Sequence, residues 1–272
     1  MPEPTAEIAV RESPEATYLT GVLFHGAREE FDFDRRYRYN EPNLNITDGS
    51  ATLGFGLYLV KDLVAAEKYS LIRGAFGGNP VVYAAEISDA KLLDFVGING
   101  NVSVPAEIID KWRKYFLGRK ESIIPEEKPP EQDVIMENSK NIRIRKKDPN
   151  RRRRNTIGEI EIYSKFLEEI RNRNDVDLRQ MLGSVVPADM VENETGYVGS
   201  GENGPPWVGM FGDFVSDVLG YDGIIYREGS EKDRDISVPS GETVIIYNLE
   251  CVKFGEKPLS DVQASEVKDD GR

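Results

Sequence analysis

The sequence predicts an α+β fold, from two observations. The chain contains several short apolar segments of the kind that form strands, together with a few longer segments of helical period. The two kinds of segment do not follow one another as repeated strand–helix–strand units, and no internal repeat is present. Regular strand–helix alternation is typical of parallel, doubly wound sheets, so the irregular order favours an α+β arrangement.

The N-terminal part is predicted to place one strand between two irregular segments. Residues 1–15 are acidic and contain prolines, which predicts a disordered lead. Residues 18–26 are mostly apolar and end in His25-Gly26, a pattern that predicts a strand followed by a turn. Residues 28–50 are polar and without clear period, so we expect a long loop, and loops of that length are commonly binding segments.

A turn, a strand and a helix are predicted next. Gly54 and Gly56 form a Gly-x-Gly turn, in which the backbone can come close to a ligand because neither glycine carries a Cβ. Residues 57–60 are apolar and predict the start of a buried element. Asp62 is a suitable N-cap for a helix over residues 62–69.

Two tyrosines mark the ends of this unit. Tyr58 follows the glycine turn, and Tyr69 comes eleven residues later. Two such rings can hold a flat ligand ring between them. An aromatic pair beside a helix more often belongs to a core, so the pair alone does not establish a site.

The rest of the chain predicts further helices and strands. Apolar residues recur at helical spacing over residues 105–117, with Pro105 in the first turn. Thr156 and Glu159 fit a capping box at the start of a helix that runs to Ile170. The other predicted elements are strands at 81–87, 91–95, 223–226, 242–248 and 250–254, helices at 177–182 and 207–219, and loops at 192–206 and 228–240.

One segment departs in composition from its surroundings. Residues 121–155 are poor in apolar side chains and contain several prolines, which predicts an insertion in a single domain over residues 16–256, followed by a tail at 257–272. The insertion ends in a basic strip, Lys140 to Arg154, with nine lysines and arginines against one acid. Such a run is most often a solvated loop. The alternative is a contact strip for an anionic partner such as nucleic acid.

Composition excludes several classes of protein. The 272 residues carry a net charge of −13, which argues against general duplex-DNA binding. No run approaches the ~18 apolar residues of a membrane helix, and the N-terminus lacks the pattern of a signal peptide. We therefore expect a cytoplasmic protein without a membrane partner, with delivery into another cell left open. Cys251 and His25 are the only residues of their types, so we expect no disulfide and no metal.

A late carboxylate is a candidate for chemistry. Glu242 follows the Ser240-Gly241 turn and begins an apolar strand. At the mouth of a buried strand a carboxylate can be both desolvated and aimed. A solvated turn glutamate is the alternative, and the local sequence by itself favours it.

Three short segments of the chain, here called windows, are informative because of the order in which they occur. A strand ends in Phe24-His25-Gly26, a Gly-x-Gly-Leu-Tyr58 turn leads to a helix ending in Ala-x-x-Tyr69, and a late strand begins at Glu242. This ordered set resembles the ADP-ribosyltransferase superfamily, in its diphtheria-toxin and poly(ADP-ribose)-polymerase branch. That branch has a His–Tyr–Glu triad in the same order, with a second tyrosine eleven residues after the first. The only histidine of the chain falls at the matching place.

The resemblance implies a split, mainly antiparallel β-sheet with flanking helices, and NAD as the substrate. His25 would bind a ribose hydroxyl, and the Gly26 backbone would bind the nicotinamide carboxamide. Tyr58 and Tyr69 would stack on the nicotinamide ring. Glu242 would bind the 2′-hydroxyl of the nicotinamide ribose and stabilise an oxocarbenium-like transition state.

The chain departs from that family pattern at one residue. Polymerase-like members carry a serine that binds the carboxamide, and Ala66 stands at that position, so this part of the cofactor site lacks one contact. Glu228 and Glu231 compete with Glu242 for the role of catalytic acid. Asp222 and Tyr226 are expected to have structural roles and not catalytic ones.

The resemblance implies an ADP-ribosyltransferase that cleaves NAD, releases nicotinamide and transfers ADP-ribose to a macromolecular acceptor, protein or nucleic acid. A toxin or effector is the context that fits, and it leaves room for an inhibitor or antitoxin partner. An NAD glycohydrolase with water as the acceptor is one alternative, and a non-catalytic binding module on the same fold is another. The combination of His25, Tyr58 and Glu242 counts against the binding module.

Overall fold

The structure is a computed structural model, and its elements are one sheet of six strands, two small strand pairs and several helices. It describes residues 13–28, 53–54, 56–72, 79–98, 100–127, 150–183, 207–228, 231–233, 236–238 and 241–254. The strands are β1 (Glu15–Arg28), β2 (Leu57–Val60), β3 (Pro80–Asp94), β4 (Val96–Gly97), β5 (Gly100–Asn101), β6 (Gly223–Glu228), β7 (Glu231–Asp233), β8 (Ile236–Val238), β9 (Gly241–Ile246) and β10 (Val252–Phe254). The α-helices are α1 (Leu63–Ile72), α2 (Ala106–Arg119), α3 (Arg151–Ile170) and α4 (Leu178–Met181).

Shorter helical turns complete the described part of the chain. Two 3₁₀ turns lie at Lys120–Ile123 and Leu249–Cys251. Residues 208–219 form a helical segment whose hydrogen bonding changes along its length, from 3₁₀ to α to π. Gly220 ends that segment in the left-handed conformation, φ 71°, as its position after an apolar helix predicts.

Five strands of the main sheet close into a barrel-like ring. The strand order is β1-β2-β9-β6-β3-β10, and an additional pairing of β1 with β3 joins the ends of the first five. The pairing of β3 with β6 is parallel, whereas the other pairings in the sheet are antiparallel. The predicted α+β class is confirmed, with a mixed and mostly antiparallel sheet.

The ring has two apolar faces. Side chains alternate across a strand, so each strand presents one row to the inside of the ring and the other row to the outside. The inner row forms a core to which all five strands contribute, with Leu23, Leu59, Ile87, Ile225 and Val244 among its members. The outer row of β2, β9 and β6 packs against the helices in a larger, aromatic core.

The aromatic core satisfies its polar atoms internally. Trp112 Nε1 donates to Tyr163 Oη at 2.7 Å, and Tyr163 Oη donates to the Met181 carbonyl at 2.6 Å. Trp207 Nε1 donates to the Leu182 carbonyl at 2.9 Å. These bonds offset the cost of burying polar atoms and tie α2, α3 and α4 together.

Strand β1 is longer than predicted. His25 and Gly26 were expected to form a turn, but they lie inside β1, which continues to Arg28. They pair with Tyr83 and Val82 of β3. This pairing with β3, which lies more than fifty residues later in the sequence, overrides the local turn preference of a His-Gly pair.

Strand β3 joins two segments that were predicted as separate strands. Residues 81–87 and 91–95 fall almost wholly within a single strand, Pro80–Asp94. Asp89 adopts a positive φ of 51°, and its N–H donates to Thr20 Oγ1 at 3.0 Å. This local irregularity, opposite a register shift in β1, lets the strand continue through a polar segment.

Helix α3 begins earlier than predicted. The capping box at Thr156 is wrong, because α3 starts at Arg151 and Thr156 lies buried within it. Arginine is a good helix former, and Arg153 Nη1 donates to the Pro125 carbonyl at 2.8 Å, which fixes this first turn. Residues 151–155 therefore belong to the helix and not to the insertion.

The remaining element predictions have mixed outcomes. The residue 228–240 loop contains a small antiparallel pair, β7 with β8. Asp62 caps α1 as predicted, with Oδ1 accepting from the Val64 N–H at 2.9 Å. The short helix α4 carries a capping box between Asp177 and Gln180. The predictions for the lead up to residue 12, residues 29–50, 128–149 and 192–206 and the tail lie outside the described residues.

Within the described part of the chain, none of the helices is both long enough and apolar enough to cross a membrane.

Asp222 ties three strands together at the start of β6. Its carboxylate accepts from the Lys91 N–H and from Asn248 Nδ2, each at 2.8 Å. Its own N–H donates to the Lys91 carbonyl at 2.7 Å, and its carbonyl accepts from the Tyr247 N–H at 2.8 Å. The structural role predicted for this residue follows from these four bonds.

We expect Asp222→Ala to lower the free energy of unfolding by about 2–3 kcal/mol, because two donors lose a charged acceptor. Urea denaturation monitored by circular dichroism measures the change. Asp217→Ala is the matched control, since Asp217 is exposed in the helical segment before Gly220, and we expect a change within about 0.5 kcal/mol. Equal losses in the two variants would contradict the structural role of Asp222.

Candidate functional site

The predicted site residues on the strands lie within two residues of one row of strand pairs, with His25 and Tyr58 on one side of the row and Glu242 on the other. In this row Phe24 pairs with Val60, Val60 pairs with Thr243, and Thr243 pairs with Tyr226. These pairs run across β1, β2, β9 and β6 in one row. Each window that carries a candidate residue supplies a strand to that row, so strand pairing brings together segments far apart in sequence.

His25 contacts the second window directly. Its Nδ1 lies 2.7 Å from the carbonyl oxygen of Tyr58, and the side chain is buried, with 7% of its surface exposed. A carbonyl oxygen only accepts hydrogen bonds, so Nδ1 carries the proton in this contact. In the neutral ring Nε2 is then an acceptor, which fixes what the imidazole can offer to a ligand.

Tyr58 holds the glycine turn in place. Its Oη donates to the Gly54 carbonyl at 3.0 Å and accepts from the Leu53 N–H at 3.3 Å. Gly54 has φ 100°, a conformation that favours glycine. A Cβ on Gly56 would lie 2.7 Å from the Ile245 side chain, so this glycine is required by packing against β9.

Glu242 lies in an exposed ion pair at the end of β9. Its Oε2 is 2.9 Å from Lys61 Nζ, and 37% of the glutamate side chain is exposed. Exposed pairs of this kind contribute at most about 1 kcal/mol, so the carboxylate is not held by a strong local interaction. Its surroundings match the solvated alternative more closely than the desolvated one.

Strand alternation places Glu242 and His25 on the same face. Glu242 is two residues from Val244, and His25 is two residues from Leu23; both apolar partners belong to the inner core. Tyr58 instead packs against the aromatic core outside the ring. The histidine and the acid of the predicted triad therefore belong to the inner face, and the tyrosine to the outer face.

The second tyrosine contacts a different carboxylate. Tyr69 Oη donates to Glu228 Oε2 at 3.1 Å, and Glu228 Oε1 lies 3.9 Å from Arg179 Nη2. Only 15% of the Glu228 side chain is exposed. Glu228 is two residues from Tyr226, a member of the outer core, so it shares the outer face with the tyrosines. The side chain of the other competing acid, Glu231, lies outside what the structure describes.

Helix α1 covers the predicted carboxamide contact at Gly26. A Cβ added at Gly26 would lie 2.7 Å from the Ser70 backbone nitrogen and closer still to the Ala66 carbonyl oxygen. Ala66 itself is fully buried against Val60 and Val82. The glycine is thus required for the helix to lie on β1. Imidazole and carboxylate groups such as those of His25 and Glu242 are of the kind that bind ribose hydroxyls, whereas Gly26 has no open surface on the side of α1.

Two buried groups of the described chain, a phenol and a thiol, are held in their neutral forms. Burial raises the pKa of Tyr226 well above its ordinary value, and the Asp177 carboxylate raises it further. Burial, with a contribution from the Asp222 carboxylate, raises the pKa of Cys251 to about 11, so its thiol stays protonated at neutral pH. Among the described residues, no group of three or more His, Cys, Asp and Glu side chains could hold a metal ion.

Two charged residues of this region were not predicted from the sequence. Lys61 pairs with Glu242, and Arg179 lies beside Glu228 with its guanidinium carbon 5.6 Å from the centre of the Tyr226 ring. Neither belongs to a motif. Their roles depend on strand register and on the packing of α4, which no local pattern indicates.

Comparison with known proteins supplies no analogy for this site. No protein-family model, no curated protein and no solved structure matches the chain. A function therefore has to be inferred from the contacts around this row of strand pairs.

We expect Gly26→Ala to lower the free energy of unfolding by at least about 3 kcal/mol, because the new methyl group would collide with the backbone of α1. Gly118→Ala is the matched control, since Gly118 lies in α2 with open space around its Cα, and we expect a gain of about 0.5–1 kcal/mol. Denaturant titration measures both changes. A Gly26→Ala protein as stable as wild type would show that α1 does not lie on β1 as described.

Proposed function

We propose that the chain is an NAD-dependent ADP-ribosyltransferase, which cleaves NAD, releases nicotinamide and transfers ADP-ribose to a macromolecular acceptor. One observation supports the proposal above the others. The contact of His25 with the Tyr58 backbone spans 33 residues of sequence, and the contact of Lys61 with Glu242 spans 181. The three windows that resemble the His–Tyr–Glu branch thus supply neighbouring strands of one sheet.

The histidine suits the binding of a ribose. Because Nδ1 of His25 donates to the Tyr58 carbonyl, Nε2 of the neutral ring accepts a hydrogen bond from a ribose hydroxyl. The same bond fixes the plane of the imidazole against β2. In the proposed reaction His25 orients the dinucleotide and takes no proton from the reacting atoms.

The chemical step breaks the glycosidic bond between C1′ of the ribose and the nicotinamide nitrogen. The bonding electron pair leaves with the ring, which becomes neutral nicotinamide, and positive charge develops on the ribose. Glu242 stabilises that charge, and an acceptor nucleophile then adds to C1′ and loses its proton. To reach the 2′-hydroxyl the carboxylate exchanges its contact with Lys61, an exposed pair that costs at most about 1 kcal/mol to open.

The acceptor is proposed to be a protein or a nucleic acid, and the described end of the basic strip bears on that choice. Residues 151–154 are four consecutive arginines in the first turn of α3. Positive charges there lie next to the positive end of the helix dipole, which is unfavourable. An anionic partner relieves both the mutual repulsion and the unfavourable dipole, which favours a nucleic-acid acceptor over a strip without a partner.

Incubation of the purified protein with labelled NAD and a cell lysate tests the proposal. Label on macromolecules, identified by mass spectrometry and divided by nuclease and protease treatment, would support transfer and give the acceptor class. Free ADP-ribose without labelled macromolecules would indicate an NAD glycohydrolase. If NAD stays intact, a non-catalytic binding module is the one alternative that remains.

We expect Glu242→Gln to slow nicotinamide release by about 10²-fold or more, because the amide cannot stabilise the charge that develops on the ribose. Glu86→Gln is the matched control, an exposed glutamate of β3, and we expect a rate equal to that of wild type. Chromatographic measurement of nicotinamide gives both rates. A Glu242→Gln protein within a few-fold of wild type would show that another group stabilises the transition state.

We expect the double substitution Arg151→Gln and Arg154→Gln to reduce labelling of nucleic acid several-fold while nicotinamide release stays unchanged. Removal of the Arg151 charge from the start of the helix should by itself raise the free energy of unfolding by about 0.3–1 kcal/mol. Lys165→Gln, an exposed residue farther along α3, is the control for the loss of a positive charge. Unchanged labelling in the double variant would indicate a solvated strip.

A further inference from the structure

We infer that Glu228 is a positioning residue, whose carboxylate holds the Tyr69 ring in the orientation in which the ring stacks on nicotinamide. The inference rests on the proposed function and assigns separate roles to the two carboxylates. Glu242 faces the reacting ribose, and Glu228 acts through a tyrosine.

The first argument is the contact itself. Tyr69 lies in the last turns of α1 and Glu228 is the last residue of β6, 159 positions later, yet the phenol donates to the carboxylate at 3.1 Å. A hydrogen bond from a hydroxyl to an ionised carboxylate is stronger than one between neutral groups. The bond connects α1, which carries Tyr69, to β6, one of the five strands of the ring.

The carboxylate is itself held in place. Its side chain is 85% removed from solvent, so it requires partners, and Arg179 supplies positive charge 3.9 Å away. The Arg179 guanidinium lies over the Tyr226 ring, and the Asp177–Gln180 capping box fixes the short helix that carries it. Tyr69, Glu228 and Arg179 thus form a chain of contacts from α1 through β6 to α4.

The hydrogen bond adds a fixed point at the far end of the tyrosine ring. Tyr69 is partly buried, and it packs against the small core of Val60, Ala66 and Val82. A tyrosine side chain has two rotatable bonds, and a hydrogen bond at the far end of the ring restricts both. Glu228 therefore determines where the face of the ring points.

The two carboxylates differ in ways that separate these roles. Glu228 lies on the outer face, mostly buried and bound by Tyr69, whereas Glu242 lies on the inner face with His25 and is exposed. A group that acts only in the transition state changes kcat, whereas a group that orients a substrate-binding ring changes the affinity for the substrate. Substitutions at the two positions should therefore give different kinetic patterns.

Steady-state nicotinamide release and calorimetric NAD binding, measured on the full chain, test the inference with Tyr69→Phe, Glu228→Ala, Glu228→Gln and the double variant Tyr69→Phe/Glu228→Ala. We expect each of the first two to raise the KM and Kd for NAD by roughly tenfold, with kcat within about threefold of wild type, since each removes the same charged hydrogen bond. The double variant should be no weaker than either single one. Glu228→Gln keeps a carbonyl acceptor and should lie closer to wild type.

The possible results separate the inference from the function on which it rests. A wild-type protein that neither binds nor cleaves NAD would remove both. A wild type that cleaves NAD, beside a folded Glu228→Ala protein with unchanged KM and Kd, would remove the inference alone. Loss of kcat in Glu228→Ala at unchanged KM would also overturn it, because Glu228 would then be the catalytic acid. Additive effects in the double variant would show that the two residues act independently.

Discussion

The pairing of β1 with β3 closes the ring, and this closure decides the face on which each candidate side chain lies. A strand has a period of two, so one register assigns every residue of the five strands to the inside or the outside. Through that register His25 and Glu242 belong to the inner face, and Tyr58 and Glu228 to the outer face. The proposed chemistry therefore draws on groups from both faces of the ring.

A ligand that contacts all of these groups has to reach from the inner face of the ring to its outer face. A single described residue pair, Phe24 with Val60, joins β1 to β2, and His25 bridges the two strands just beyond it through the Tyr58 carbonyl. The nicotinamide ring and the ribose that Glu242 faces are joined by a single glycosidic bond, so the proposed site requires the tyrosines outside and Glu242 inside to come close to one another when NAD binds. The two carboxylates then act in different surroundings, one exposed and one mostly buried.

Much of the fold follows from local pattern, and most of the site does not. The apolar face of α2, the Asp62 cap and the stop at Gly220 were predicted because their causes lie within a few residues of sequence. The continuation of β1 through His25 and Gly26 depends on β3, more than fifty residues away. The face on which Glu242 lies depends on register across three strands, so a motif can name that residue without revealing its partner Lys61 or its exposure.

A crystal structure of the protein with a non-hydrolysable NAD analogue tests the central claim most directly. The account predicts one bound molecule, with its nicotinamide ring between Tyr58 and Tyr69, a ribose hydroxyl on His25 Nε2 and the adjacent ribose facing Glu242. Density for the analogue elsewhere on the protein, or no density at concentrations that saturate binding in solution, would contradict the claim that the inner and outer groups share one ligand.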